Sequence, residues 1–427
     1  MIFCKNRHMQ TLRLAFGPAK GLVRHPAGGA ARRALLVLLC MGTWAWGAQS
    51  AQLHPSGAAT TTPDAWVAQV PAAAPPLPRP NPAAPVATWG TPKERVRFFV
   101  SGHSLTDDPF AENVEAIALS LGGPLAARYN QQIVIGSPIG ARTGMPASLD
   151  RYATGKNRKW TNNMDVLREL STGATIGGDR YDTLVITENH NLLDMMQWEK
   201  SVRQLRHYHD RLIEAQPAAR TFLYSSWWDI DKKQPQTWVD AERVVGKAWQ
   251  CVGSRINRSL QHEGRADRIT PLPASLALVE LVDQVLKGRL PEIAAAGAPD
   301  ALNRIFTDNV HLTPLGSYFM SLVTYAAIFE RSPVGGFRPA GVSEAQARVL
   351  QALGWEFVSQ FYARYSEPSL DTCNTQTMPQ VCKAYFGLRN KAGQIGSCVD
   401  FFKPENAENP MRFNAASDRR YWFPSRP

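Results

Sequence analysis

The first 50 residues contain no aspartate or glutamate, although they hold seven lysines and arginines. This asymmetry explains most of the net charge of +11. Without the segment the chain carries 40 basic and 36 acidic residues, with no Lys/Arg block and no aromatic-basic stripe. Nucleic acid is therefore not an expected partner. Cysteine is also scarce, at six residues in 427, with no C-x-x-C and no histidine pair nearby. That composition disfavours zinc and leaves no metal site to predict. No apolar run is long enough to read as a membrane span. The segment of greatest interest, residues 34–41, follows Arg32-Arg33 and precedes the small residues Ala48, Ser50 and Ala51. A basic stretch, a short apolar core and small residues describe a cleaved export signal over residues 1–50. Leu39 stands where a lipoprotein signal before Cys40 would carry a small residue. Cys251, Cys373, Cys382 and Cys398 remain after cleavage. In an oxidising compartment they are expected to form two disulfides, with the pairing left open.

Residues 51–92 are rich in proline, alanine and threonine. Such a stretch favours extended conformations and buries too little apolar surface to fold, so it reads as a linker. Beyond it, strand-like and helix-like patterns alternate. Strands are expected at residues 96–100, 133–135, 183–187, 221–225 and 268–270. Helices are expected over residues 110–121, 192–215, 240–263, 275–287, 314–330 and 344–365, the last capped by Ser343. This alternation calls for an α/β fold of three layers, a mostly parallel sheet covered on both faces, over residues 93–365. Residues 366–427 are polar, turn-rich and cysteine-bearing, and suggest a small disulfide-stapled C-terminal extension.

Two segments carry chemistry. Gly102-His103-Ser104-Leu105-Thr106-Asp107 follows the first strand, where an open parallel sheet places its reactive groups. Thr106 stands where G-x-S-x-G carries its second glycine, which disfavours the nucleophile elbow of the α/β-hydrolases. Some 200 residues later comes Asp308-Asn309-Val310-His311-Leu312-Thr313-Pro314-Leu315-Gly316. Aspartate and histidine three apart on a pre-helical turn can face one cavity. The carboxylate then fixes the imidazole tautomer, and the imidazole takes a proton from a serine hydroxyl. Ser104, His311 and Asp308 are thus candidates for nucleophile, base and orienting acid.

With these two motifs the chain resembles the SGNH (GDSL-like) hydrolase superfamily over residues 94–332. The resemblance implies a flavodoxin-like sheet and serine esterase or related acyl-transfer chemistry without metal or organic cofactor. It also implies an oxyanion hole built from the Ser104 N–H, a glycine N–H and an asparagine side chain. Gly136 and Gly140 both follow the second strand, and Gly140 is the candidate taken. Asn189 in Thr187-Glu188-Asn189-His190 stands where the family has G-x-N-D, with Thr187 and His190 as departures. His103 replaces the aspartate that usually precedes the nucleophile and reads as a locally bonded loop residue.

Glu188 is a candidate contact to substrate or to Arg142. Trp227 and Trp228 suit either a sugar-stacking platform or core packing. His207 and His209 point apart on a helix and do not suggest a metal pair. The expected function is an exported, periplasmic or secreted esterase or deacylase acting on a small-molecule or carbohydrate ester. The alternatives are an envelope polysaccharide O-acyltransferase with the same triad, or a catalytically silent carbohydrate-binding scaffold.

Overall fold

Every residue of β1 (Val96–Gly102) is buried, so both faces of this strand are covered. The computed structural model describes residues 90–144, 152–294 and 297–423. The expected export signal and nearly all of the expected linker lie outside them. After β1 come α1 (Phe110–Gly122), β2 (Ala127–Ile133), α2 (Ile139–Arg142), α3 (Val166–Thr172) and β3 (Thr183–Thr187). Next are α4 (Leu192–Gln197), α5 (Ser201–Ala215), β4 (Arg220–Tyr224), α6 (Pro235–Val245), α7 (Ala248–His262) and β5 (Ile269–Leu272). Then follow α8 (Ala274–Leu286), α9 (Ala298–Ile305), α10 (Pro314–Phe329) and α11 (Glu344–Arg364). The strands are all parallel, in the order β2-β1-β3-β4-β5.

Strand side chains alternate between two apolar clusters, as a period of two requires. Phe98, Val185 and Phe222 face a layer built from α1, α8, α10 and α11. Phe99, Leu184 and Leu223 face a layer built from α3, α4, α5 and α7. The result is a three-layer α/β fold. The strand order reverses between β1 and β3, and the crevice beyond their carboxyl ends is where such a sheet presents a site.

Local expectations hold best where caps are present. Thr313 caps α10 by accepting the Gly316 N–H, and Pro314 occupies the first turn. Gly316 is required there, because a Cβ would lie 2.5 Å from the Ile305 carbonyl. Ser343 and Gln346 close a reciprocal capping box on α11.

Three expectations need correction. The second strand ends at Ile133 rather than beginning there, and Ile135 is exposed. Its polar residues pass as strand because their amides are bonded internally. Gln132 accepts the Ser101 hydroxyl at 2.9 Å, and Gln131 donates to Asp108 at 2.9 Å. The helix expected over 192–215 breaks at Lys200, whose φ is 54°. The helix expected over 240–263 starts earlier and breaks at Gly246, which packs closely on α8. A Cβ there would lie 2.8 Å from the Ser275 hydroxyl.

The C-terminal segment is mainly helical over residues 370–401 and, as expected, turn-rich over residues 402–417. It contains α12 (Leu370–Thr372), a π-helical stretch Cys373–Thr377, α13 (Met378–Leu388), α14 (Ile395–Phe401) and α15 (Asp418–Tyr421). It also has no core of its own. Met378, Val381, Tyr385, Phe402, Met411 and Trp422 join the cluster under α5 and α7. The sulfurs of Cys251 on α7 and Cys373 lie 2.07 Å apart, and those of Cys382 and Cys398 1.98 Å. One pair therefore ties the segment to α7, and the other joins α13 to α14. Asp418 adds a buried ion pair to Arg255 on α7 at 2.5 Å.

Candidate active site

Ser104 opens a single 3-10 turn, Ser104–Thr106, directly beyond β1. The Thr106 N–H closes this turn on the His103 carbonyl at 2.9 Å. The Asp308–His311 segment is held as a tight turn between α9 and α10. Phe306 and Leu312 pair across its base as an antiparallel bridge, and the Thr307 N–H donates to the His311 carbonyl at 2.9 Å. Helix α10 lies beside α1, where the Ser321 hydroxyl donates to the Phe110 carbonyl at 3.0 Å. That packing carries the turn to the mouth of β1.

There His311 Nε2 lies 2.9 Å from the Ser104 hydroxyl oxygen, and His311 Nδ1 lies 2.7 Å from Asp308 Oδ2. The second carboxylate oxygen, Oδ1, accepts the backbone N–H groups of Val310 and His311, each at 2.7 Å. Partial desolvation works against ionisation of Asp308. The His311 and Val310 N–H groups and the imidazole outweigh it, holding the carboxyl down at about 2. Asp308 is thus a fixed anion that pins the tautomer with its proton on Nδ1, leaving Nε2 as an acceptor toward Ser104. The His311 side chain is 43 % exposed, so the pair is open to solvent.

The neighbouring strand brings a second set of groups. β1 and β3 pair as far as Ser101 opposite Ile186, so Ser104 and Asn189 each follow the carboxyl end of one of two neighbouring strands. His103 locks the two strand ends together, with Nε2 3.0 Å from the Glu188 carbonyl. Burial first, then the Arg142 charge, pushes the His103 imidazole down to about 3, so it remains neutral as a loop brace. Asn189 Nδ2 donates to the Gly136 carbonyl at 3.0 Å, which leaves its other N–H available. Gly136 thus meets Asn189 through its carbonyl, as a brace for the side chain and not through its N–H. Gly140 lies in the first turn of α2, where its Cα faces Gln204 and the Glu199 carbonyl.

Two expected substrate contacts are closed to substrate. Glu188 is buried, accepting the Ile139 N–H at 2.9 Å and the Asn189 N–H at 2.6 Å. Desolvation raises its pKa, against the pull of the nearby Arg142 charge. Trp227 is wholly buried, and its indole N–H donates to the Val310 carbonyl at 2.9 Å. It braces the Asp308–His311 turn from beneath, together with the Ile230 N–H on the Asn309 carbonyl at 2.8 Å. Trp228 is half-buried, and the Arg389 guanidinium covers its ring at 3.5 Å. Among the described residues no group of three or more His, Cys, Asp or Glu is placed to hold a metal ion. His207 approaches Tyr152 at 2.9 Å, whereas His209 lies between Thr221 and Asp267.

Three participants escaped the sequence reading, and a fourth, Arg142, was expected only as a contact of Glu188. Arg142 is buried and bonds to Ser101, Ser137 and Thr187, so one guanidinium ties the ends of β1 and β3 to the loop after β2. Asn191 and Arg389 extend the Asn189 network. Glu242 on α6 is fully buried and accepts the Trp228 N–H at 3.2 Å. No local pattern marks any of them, because each acts through partners remote in sequence.

Glu242 leads to a prediction about pH. Desolvation raises its carboxyl to about 8, although the Trp228 N–H and the Ser275 hydroxyl favour the charged form. Above pH ~4–5 an unfolded glutamate has lost its proton while folded Glu242 keeps it. Its contribution to stability is therefore full below that range, declines as pH rises, and is lost above about pH 8. Glu242→Gln keeps the shape without the titration. Its melting temperature relative to the parent protein is expected to rise between pH 5 and pH 8.5, by several degrees. A difference that does not change with pH would show that the buried carboxyl carries no linkage.

No family model and no curated protein matches the chain. Among solved structures it is similar to a crystal structure of a DUF4886 family protein from Bacteroides uniformis. The identity is 12 %, covering 64 % of this chain and 98 % of that one, with a TM-score of 0.43.

Proposed function

We propose that the protein is an exported serine esterase or deacylase of the SGNH (GDSL-like) type. The observation that carries this reading is the hydrogen-bonded chain Ser104–His311–Asp308 beyond β1, with the carboxylate anchored by two backbone N–H groups. The Ser104 oxygen attacks the ester carbonyl while His311 Nε2 takes its proton. Negative charge develops on the carbonyl oxygen and is met by the Ser104 N–H and the free N–H of Asn189. Collapse expels the alcohol, protonated by His311, and leaves an acyl-enzyme. Water, deprotonated by His311, then releases the acid and restores Ser104.

Two cysteine pairs at bonding distance fit the export reading, and no described helix is long and apolar enough to cross a membrane. With Trp227 in the core and Trp228 under Arg389, nothing among the described residues of the site singles out a carbohydrate. The proposal is therefore for an ester, without naming its alcohol. A fluorophosphonate probe tests the reading directly. It is expected to add once per chain, at Ser104, and not to Ser104→Ala. His311→Ala is expected to slow labelling at least 100-fold, by loss of the base. Absence of an adduct at Ser104 in the parent protein would overturn the assignment.

A further inference from the structure

We infer that Arg389, in the C-terminal segment, is a positioning residue that sets the direction of the Asn189 side chain. This rests on the reading of Asn189 as an oxyanion donor. Arg389 follows α13, and its guanidinium is clamped between aromatic rings, 3.5 Å from the Trp228 centroid and 4.0 Å from that of Tyr385. From there Nη2 donates to Asn191 Oδ1 at 2.7 Å, and the Asp194 carboxylate lies 3.7 Å from Nη1. Asn191 passes the contact on. Its Nδ2 and its backbone N–H both donate to Asn189 Oδ1, each at 3.0 Å. Asn189 Nδ2 then points the other way, to the Gly136 carbonyl at 3.0 Å.

The order of donors follows from the chemistry of the first member. A carboxamide is an acceptor at one end and a double donor at the other, and half a turn exchanges them at little steric cost. A guanidinium has donors only. Asn191 must therefore show its oxygen to Arg389, which leaves its Nδ2 for Asn189. Asn189 must answer with its own oxygen, and its Nδ2 is turned the other way, toward the Gly136 carbonyl. If Asn191 were reversed, two amide oxygens would face each other and Asn189 would gain by turning over. A reversed Asn189 would put a partial negative charge where the oxyanion forms. The Asn191 backbone N–H and the Gly136 carbonyl also favour the observed direction, so loss of Arg389 weakens the control without abolishing it.

This gives the C-terminal segment a task at the site. The Cys251–Cys373 pair anchors the segment to α7, and the Cys382–Cys398 pair holds the helix that ends next to Arg389. Arg389 touches no reacting atom and acts through Asn191 and Asn189.

The test is a set of variants of the whole protein, assayed by steady-state hydrolysis of 4-nitrophenyl acetate. Arg389→Met keeps apolar contact with Trp228 and Tyr385 but donates nothing. It is expected to lower kcat about tenfold with KM within twofold, a fraction of the ~100-fold or greater loss for removing an oxyanion donor. Arg389→Lys, also donor-only, is expected to recover most of the rate. In the Asn189→Ala background, Arg389→Met is expected to cost nothing further, because its only route to the chemistry is gone.

Asn191→Asp separates positioning from docking. It adds a charge pair to Arg389, so it fastens the segment at least as well, yet it presents an acceptor to Asn189 Oδ1. Asn189 is then expected to reverse, and kcat to fall toward the Asn189→Ala value. Unchanged kcat in Asn191→Asp, or an Arg389→Met loss that persists in Asn189→Ala, would overturn the inference and leave Arg389 as a structural clamp. If Asn189→Ala itself hydrolyses at the parent rate while Ser104→Ala does not, the inference falls and the serine mechanism stands. If Ser104→Ala hydrolyses at the parent rate, the esterase reading falls with it.

Discussion

Ser104→Ala is expected to lower kcat/KM for 4-nitrophenyl acetate by on the order of 10⁴-fold or more, with no loss of stability. The hydroxyl oxygen is the only atom removed, and its partner, His311 Nε2, is partly exposed and can bond to water instead. Asp308→Asn is expected to lose about as much, on the order of 10⁴-fold, for a reason particular to this turn. Asp308 Oδ1 accepts the N–H groups of Val310 and His311. An asparagine keeps its oxygen on those two donors and must turn its NH2 toward His311 Nδ1. That arrangement holds the imidazole proton on Nε2, facing Ser104, where the base should be. The two variants together distinguish a working base from a histidine that only lies nearby. A rate within tenfold of the parent in Asp308→Asn would mean that the tautomer is not set by this carboxylate.

The second large effect is expected in stability. Arg142→Met is expected to lower the unfolding free energy by about 3–5 kcal/mol, read from the midpoint of urea denaturation at unchanged slope. The side chain is fully buried, and burial first of all lowers its pKa, to about 10, against the raising influence of Glu188. It still remains charged at neutral pH. Methionine of similar length fills the space but removes every donor. The Ser137 and Thr187 carbonyls lose this donor, the Ser101 hydroxyl keeps only Gln132, and buried Glu188 loses the charge that offsets its desolvation. Breaking such a set from one side is costly because the remaining groups stay buried and unpaired. Activity is expected to fall as well, since Ser101 and Thr187 lie just before Ser104 and Asn189. A loss below ~1 kcal/mol would indicate that water replaces the guanidinium in the cavity.

How far the sequence carried can be judged residue by residue. β3 is read at its observed limits because Thr183-Leu184-Val185-Ile186-Thr187 is apolar and β-branched, and both of its faces are buried. β2 is misplaced because Asn130, Gln131 and Gln132 look like loop until their amides are seen paired, Asn130 with the Arg158 N–H, Gln131 with Asp108, and Gln132 with Ser101 and the Arg142 carbonyl. Trp227 and Trp228 are adjacent and chemically alike. One is a brace under the Asp308–His311 turn and the other a stacking surface for Arg389, a distinction made only by which way each ring faces. The C-terminal segment misleads for a related reason. Its apolar residues are too sparse to suggest a core of their own, and they complete the cluster under α5 and α7 instead.

What the sequence determined by itself is local in origin. Apolar strands alternating with capped helices require a covered parallel sheet, and Asp308 and His311 share one turn because they are three residues apart. Those consequences follow from backbone periodicity and short-range hydrogen bonding, which act within a few residues. The tertiary structure alone decided that His311 meets Ser104 at 2.9 Å across 207 residues, that the Gly136 carbonyl braces the Asn189 side chain, and that Arg142 and Arg389 face the groups they orient. These contacts depend on strand order, helix packing and burial acting together, and no single segment contains the information to predict them.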